Sequence, residues 1–348
     1  MSSESSGSWH PLLEGELAQR AVRTVRALAA TWAERRVDDS SLGSGSAGLA
    51  LCFAYLAEAF DDPEYGAAAE RFLGHAAQAL ARRRLPPSLF GGVAGVGWVI
   101  DHLQTKFFPG DDQDDANEAI DEMLITSLSH SWLRRRDLTA GLAGAGVYGL
   151  ERRRRPSGLR VIEAVVARLD EWGAVVAAQP PGVAHGLAGL MPVLASACAA
   201  GVCVTASQRL LGEVAGALGA ASGSGWADGE PAVALALYAA AAAVGAPAWS
   251  DDAIARARAA AVRDLGVSGA SLGTGAAGVA HIYNRFYQST GEPAFGVVAR
   301  RWFERLLAMP APDEPGLLSG AAGVGLALLA AVGEIEPAWD RALGMSLA

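Results

Sequence analysis

Residues Ser271–Met309 read SLGTGAAGVAHIYNRFYQSTGEPAFGVVARRWFERLLAM, and Gly316–Ala331 follow with GLLSGAAGVGLALLAA. In both, a Gly-x-x-Gly turn opens a long apolar run. Between them, Phe295–Met309 sets apolar residues three and four apart with arginines and a glutamate in the gaps, the spacing of an amphipathic helix. A helix apolar on every face, such as Leu326–Val332, is a buried helix. The stretch therefore predicts one unit: an outer amphipathic helix, a glycine turn, and an inner buried helix.

The same unit recurs along the chain. Earlier copies read SLGSGSAGLAL from Ser41, SLFGGVAGVGW from Ser88, DLTAGLAGAGV from Asp137, GVAHGLAGLMP from Gly182 and SGWADGEPAVA from Ser224. The first motif glycines are Gly45, Gly92, Gly141, Gly186, Gly229, Gly275 and Gly320, at steps of 43 to 49 residues. Seven copies at a nearly fixed step mean one supersecondary unit used seven times. No period-two alternation appears, so strands are not expected. An open solenoid of the HEAT kind has this repeat length too, but solenoids keep a polar stripe and polar end caps. Here the inner helices have almost no polar stripe and the last copy ends as apolar as the others. The expectation is an all-α toroid: seven helical hairpins in inner and outer rings, one domain over 16–348, and a flexible N-terminus over 1–15. The motif glycines are expected to make tight, positive-φ turns and close helix approaches. The inner helix starts, with unpaired N–H groups, should converge on one mouth suited to anions.

Composition narrows the function. The chain has 348 residues and a formal net charge of -9, an acidic balance that disfavours nucleic acid. Three cysteines, Cys52, Cys198 and Cys203, make no disulfide framework, and a reducing, cytoplasmic compartment is the expectation. Met1–Trp9 is polar and serine-rich and does not read as a secretory signal. The uncharged stretch Pro231–Trp249 has the length of a membrane span, yet its alanines, Gly245, Pro247 and six shorter or charged sister segments read better as a buried helix. No membrane insertion is expected.

The motif set resembles the lanthionine synthetase C (LanC) cyclases. The last two repeats, GVAHGLAG and WADGEPAVALAL carry the likeness, which spans Ser40 to the C-terminus. The resemblance implies a peptide cyclase of ribosomal-peptide biosynthesis. Such enzymes add a cysteine thiol of a dehydrated precursor peptide across dehydroalanine or dehydrobutyrine with the help of zinc. The implied zinc ligands are a Cys in Trp-Cys-x-Gly and a Cys-His pair before a later glycine. This chain reads Trp226-Ala227-Asp228-Gly229 and Gly273-Thr274-Gly275, so the three ligand positions are Ala227, Gly273 and Thr274. Zinc needs three or four N, S or O ligands, so no metal or other cofactor is expected. The resemblance keeps Asp137 and His185 as a catalytic, proton-transferring pair at the mouth. An arginine of the family is replaced in the Ser222–Ser224 region. Trp226, Asp228, Glu230 and Thr274 are the candidate substrate-binding residues.

Structural readings stand beside these. Asp137 reads equally as a helix N-cap, His185 as a turn histidine, Trp226 as ring packing, and Asp228 with Glu230 as complements of a helix start. His281 reads as a core histidine. Arg82–Arg84, Arg134–Arg136 and Arg152–Arg155 read as solvated helix ends or as a docking patch for an acidic leader peptide. Asp111–Asp115 reads as a solvated loop. Three functions follow. One is zinc-independent thioether cyclisation. Another is an inactive pseudo-cyclase that binds the precursor peptide or a partner such as a dehydratase. The third is a glycosidase built on Asp137 with Asp228 or Glu230.

Overall fold

The computed structural model describes residues 9–107, 115–129, 135–171, 179–223, 225–263 and 265–346. Met1–Ser8, Asp111–Asp114, Arg134 and Ser224 lie outside them. The fold is an α/α toroid. The inner ring is α2 (Ser46–Phe60), α4 (Val93–Lys106), α6 (Leu142–Glu151), α8 (Met191–Ala199), α11 (Glu230–Val244), α13 (Ala276–Thr290) and α15 (Ala321–Val332). The outer ring is α1 (Gly15–Trp32), α3 (Pro63–Arg82), α5 (Glu118–Ser129), α7 (Pro156–Glu171), α9 (Val204–Ala217), α12 (Pro247–Ala261) and α14 (Pro293–Leu307). A short helix, α10 (Gly225–Asp228), and 3-10 turns at Leu187–Leu190 and Ala338–Leu343 complete the described elements.

Composition explains the layers. In α2, every residue from Ser46 to Leu56 is buried, whereas α14 buries only the stripe Phe295, Gly296, Ala299, Trp302, Phe303 and Leu306. The stretch weighed as a membrane span is divided between the inner helix α11, which Gly245 ends in the left-handed region, and the start of the outer helix α12 at Pro247. Among the described residues no helix is long and apolar enough to cross a membrane.

The hairpin differs from the expected unit. Five of the inner helices, α2, α6, α8, α11 and α13, pack more closely on the outer helix that follows than on the one before. The turns show why. Asp61, Gly245 and Gly291 adopt positive φ, and Pro63, Pro247 and Pro293 begin the next helix two residues later. A left-handed C-terminal residue followed by a proline with preset φ makes a compact reversal. The leftover outer helix at the front, α1, then packs on the leftover inner helix at the back, α15, and α15 packs on α2. The ring closes by joining the two ends of the sequence.

Two further sets of bonds seal this seam. The Trp9 indole N–H donates to Ala330 O at 2.8 Å, and the N–H groups of Leu12 and Leu13 donate to Ala331 O at 2.8 and 2.9 Å. Within the stretch expected to be a flexible N-terminus, Trp9, Leu12 and Leu13 are buried and His10, Glu14 and Gly15 are exposed. At the mouth, the residue two before each motif glycine donates its N–H to the same position in a neighbouring loop. The chain of bonds runs Gly43 to Phe90 (2.8 Å), Phe90 to Thr139 (3.3), Thr139 to Ala184 (3.3), Ala184 to Ala227 (3.0), Ala227 to Gly273 (2.8), Gly273 to Leu318 (2.8) and Leu318 back to Gly43 (3.0). Seven loops thus form a closed annulus of backbone hydrogen bonds, which an open superhelix lacks.

The motif glycines serve close approach, not left-handed turns. At Gly92 φ is -147°, and a Cβ there would lie 1.8 Å from Pro86 O; at Gly95 a Cβ would lie 1.7 Å from Leu89 O. The loop folds back so tightly that its carbonyls rest on the Cα atoms of the helix start. Those carbonyls also overturn the expectation of free N–H groups. At six of the seven motifs the residue after the motif glycine has its N–H bonded to the loop's own backbone, as in Ser46 to Asp39 O (2.8 Å), Leu142 to Arg135 O (3.0 Å) and Ala276 to Gly269 O (2.8 Å). The mouth therefore offers side chains rather than a ring of bare amides.

Candidate functional site

The motif loops give the mouth its layers. The residues three before each motif glycine are Leu42, Leu89, Leu138, Val183, Trp226, Leu272 and Leu317, all buried. They form an apolar floor. The annulus of backbone bonds lies on it. The residues just before each glycine stand on the rim: Ser44, Gly91, His185, Asp228, Thr274 and Ser319 are exposed and Ala140 is half-buried.

Trp226 therefore belongs to the floor. It is 1% exposed, meets the Phe90 ring edge-on at 5.5 Å between centroids, and donates its indole N–H to Leu343 O at 2.9 Å. A tryptophan where sister loops have leucine or valine fills the centre of the ring. It offers no open face to a substrate, which corrects its assignment as a binding residue. Glu230 is corrected likewise: it is buried, accepts from Ala221 N at 2.5 Å and pairs with Arg256 Nη1 of α12 at 2.9 Å. It ties an inner helix to an outer one. The carboxylate pair required for sugar hydrolysis thereby loses Glu230.

Of the other candidates, His185, Asp228 and Thr274 are exposed on the rim, and Asp137 is buried beneath it within reach of His185. Loop three supplies the organised part. Asp137 Oδ2 accepts from Arg135 Nε at 2.7 Å; its Oδ1 accepts from Thr139 Oγ1 at 2.7 Å and from Ala140 N at 2.9 Å. Burial acts to raise the Asp137 pKa, but the Arg135, Thr139 and Ala140 hydrogen bonds outweigh it and hold the carboxyl below its ordinary range. The expected N-cap role is replaced by a turn role, since Gly141 is the residue that caps α6. Ser41 and Ser271, at the same place in their loops, bond to the N–H groups of Ser44 and Thr274 in the same fashion. Asp137 thus does what those serines do and adds a charge.

His185, on loop four, reaches across to this turn. Its Nδ1 lies 3.0 Å from Thr139 Oγ1 and 3.7 Å from Asp137 Oδ1, and its side chain is 54% exposed. The backbone bond from Thr139 N to Ala184 O holds the two loops in register beneath that contact. Sequence reading singled out Asp137 and His185 but passed over Thr139 and the pairing of Arg135. A signal was present: Thr139 is the only hydroxyl among the seven annulus residues.

The three positions where the resemblance places zinc ligands are also neighbours. Ala227 N donates to Gly273 O, and α10 approaches so closely that a Cβ at Gly225 would lie 2.5 Å from Thr274 Cα. Their donor set is one methyl, one hydrogen and one hydroxyl, with the Asp228 carboxylate beside them. Among the described residues no cluster of three His, Cys, Asp or Glu side chains could hold a metal. These residues do not fit zinc. The cysteines stand elsewhere: Cys52 is buried in α2, Cys198 is near the end of α8, and Cys203 immediately precedes α9.

Three polar features away from the rim complete the inventory. Arg152 is 2% exposed and bonded to Asp101, Asp115 and Asp121, which removes it from any solvated docking patch. Tyr55, His102 and Glu151 form a chain at 3.0 and 2.9 Å across α2, α4 and α6. His281 is a fully buried core residue bonded to Asp340 at 2.8 Å.

A family model described as lanthionine synthetase C-like protein matches residues 36–343. No curated protein matches the sequence. Among solved structures, nisin cyclase superposes with a TM-score of 0.75 at 18% identity, over 94% of this chain and 98% of that one. At that identity the superposition establishes the toroid.

Proposed function

The chain belongs to the lanthionine synthetase C-like family, and from that premise we propose that it cyclises a dehydrated ribosomal precursor peptide without zinc, in the cytoplasm. The observation that carries this reading is the exposed His185 imidazole, held through one nitrogen by Thr139, on the loop that bonds to Ala227, the first of the emptied ligand positions.

The chemistry balances with no co-reactant. His185 Nε2 takes the proton of the peptide's cysteine thiol. The sulfur attacks Cβ of the dehydrated residue, forming the C–S bond as the double-bond electrons move to Cα and its carbonyl. The imidazolium then returns the proton to Cα. A thiol with a pKa near 8.5 is only a few per cent thiolate at neutral pH, a deficit of about 30-fold or about 2 kcal/mol. A placed general base contributes roughly 10²–10⁴-fold, which covers that deficit. Asp137 orients the imidazole through the Thr139 hydroxyl, and Asp228 and Thr274 line the path of the peptide.

A second reading rests on the lost ligand positions themselves: a pseudo-cyclase that binds the precursor or a dehydratase. The test gives the protein a dehydrated precursor and counts free thiols by alkylation and mass. Ring formation that falls at least about 10²-fold in His185→Ala supports cyclisation. Undiminished thiols together with measured peptide binding establish the second reading. A stoichiometric zinc ion in the purified, active protein sinks the metal-free mechanism.

A further inference from the structure

Loop three carries a donor-and-acceptor puzzle with one solution. A carboxylate is an acceptor only, a threonine hydroxyl has one proton to give, and a neutral imidazole donates from one nitrogen and accepts at the other. Thr139 Oγ1 lies 2.7 Å from Asp137 Oδ1 and 3.0 Å from His185 Nδ1. Were the hydroxyl proton given to His185, two bare oxygens would face each other at 2.7 Å. Arg135 and Ala140 already donate to the same carboxylate, which keeps it an acceptor. The hydroxyl proton therefore goes to Asp137, and His185 Nδ1 must bring its own proton to Thr139. Hydrogen positions follow from such networks.

We infer that Thr139 is a positioning residue that fixes neutral His185 as its Nδ1–H tautomer, leaving Nε2 as the proton acceptor at the rim. Free imidazole side chains prefer the opposite tautomer, so without this contact the half-exposed His185 presents an N–H where the proposed reaction needs a lone pair. Asp137 sits too far from Nδ1, at 3.7 Å, to impose the tautomer by a direct bond. The charge reaches the imidazole through the hydroxyl. The annulus bonds at Thr139 use only its backbone, so the side chain is free to be varied without opening the ring.

The inference deepens the cyclase reading and rests on it only for what Nε2 does. Its test needs no substrate. The protein labelled with ¹⁵N at histidine is examined by long-range ¹H–¹⁵N correlation at alkaline pH, where imidazoles are neutral, with the His185 signals assigned by their loss in His185→Gln. The expected wild-type pattern has Nδ1 protonated and Nε2 bare. Thr139→Val, which keeps the shape and removes the hydroxyl, is expected to move the population to the Nε2–H form, and Thr139→Ser to restore the wild-type pattern. An Nε2–H tautomer in the wild type, or an unchanged tautomer in folded Thr139→Val, overturns the inference. Should Thr139→Val not fold, the wild-type and Thr139→Ser spectra still decide it. A protein with the expected tautomer but no ring-forming activity would refute the cyclase reading alone.

Discussion

Replacing Asp340 by asparagine removes the single anion of a fully buried polar cluster. Asp340 sits in the 3-10 turn Ala338–Leu343, entirely shielded from solvent. It accepts from His281 Nε2 at 2.8 Å, from Arg285 Nε and Nη2 at 2.6 and 3.0 Å, and from Ser346 Oγ at 2.5 Å. Three residues further on, Leu343 O receives the Trp226 indole, so this cluster pins the segment that supports the floor of the mouth. Asparagine keeps the shape but turns one acceptor into a donor and leaves the buried Arg285 guanidinium with only the exposed Glu336 carboxylate, at 3.5 Å, as its counter-charge. Breaking a buried ion pair in this way costs about 3–5 kcal/mol. Urea unfolding followed by far-ultraviolet circular dichroism measures it. Arg285→Met should relieve much of the loss, so Asp340→Asn with Arg285→Met should be more stable than the sum of the singles by about 2 kcal/mol. The pH dependence gives an independent measure. The Arg285 and His281 contacts overcome burial and hold the Asp340 pKa down at about 2, against an ordinary 3.8. A depressed acid contributes stability above its unfolded pKa and loses it as pH falls through the folded one. At about 1.36 kcal/mol per unit the contribution at neutral pH is about 2.5 kcal/mol. The gap between the wild-type and Asp340→Asn stability curves should therefore narrow between about pH 5 and pH 2. A loss under about 0.5 kcal/mol, or a gap that ignores pH over that window, refutes the reasoning.

Two glycine-to-alanine changes should have opposite signs. Gly95→Ala puts a methyl 1.7 Å from Leu89 O and should lower stability by about 3 kcal/mol or more, whereas Gly74→Ala in α3 meets nothing within 4 Å and should raise it by roughly 0.5–1 kcal/mol; a thermal melt of each against wild type decides both. The thiols should separate by reactivity. Burial pushes Cys52 up to about 12, so disulfide-exchange reagents should modify exposed Cys203 first and reach Cys52 only after unfolding, and prompt labelling of Cys52 in the folded protein contradicts its place in the closing seam.

The repeat was legible in the sequence because helical spacing and glycine turns are local properties. The pattern of apolar residues settles which helices are inner, and the seven-fold count follows from the motif positions. Asp137 and His185 are singled out by the resemblance to the family rather than by the repeat, which all seven loops share. What the sequence misjudged depends on distances between loops. Whether a motif glycine avoids a left-handed turn or a carbonyl contact is a question of where the preceding loop folds back. Whether Trp226 faces substrate or floor depends on Phe90 and Leu343, 136 and 117 positions away. The role of Thr139 exists only because Ala184 of the next loop accepts its N–H and brings His185 alongside. Above all, joining α1 to α15 across nearly the whole chain has no local signature. Periodicity fixes the shape of each unit, but ring closure is a sum of small rotations between units, and only packing in three dimensions determines that the seventh meets the first.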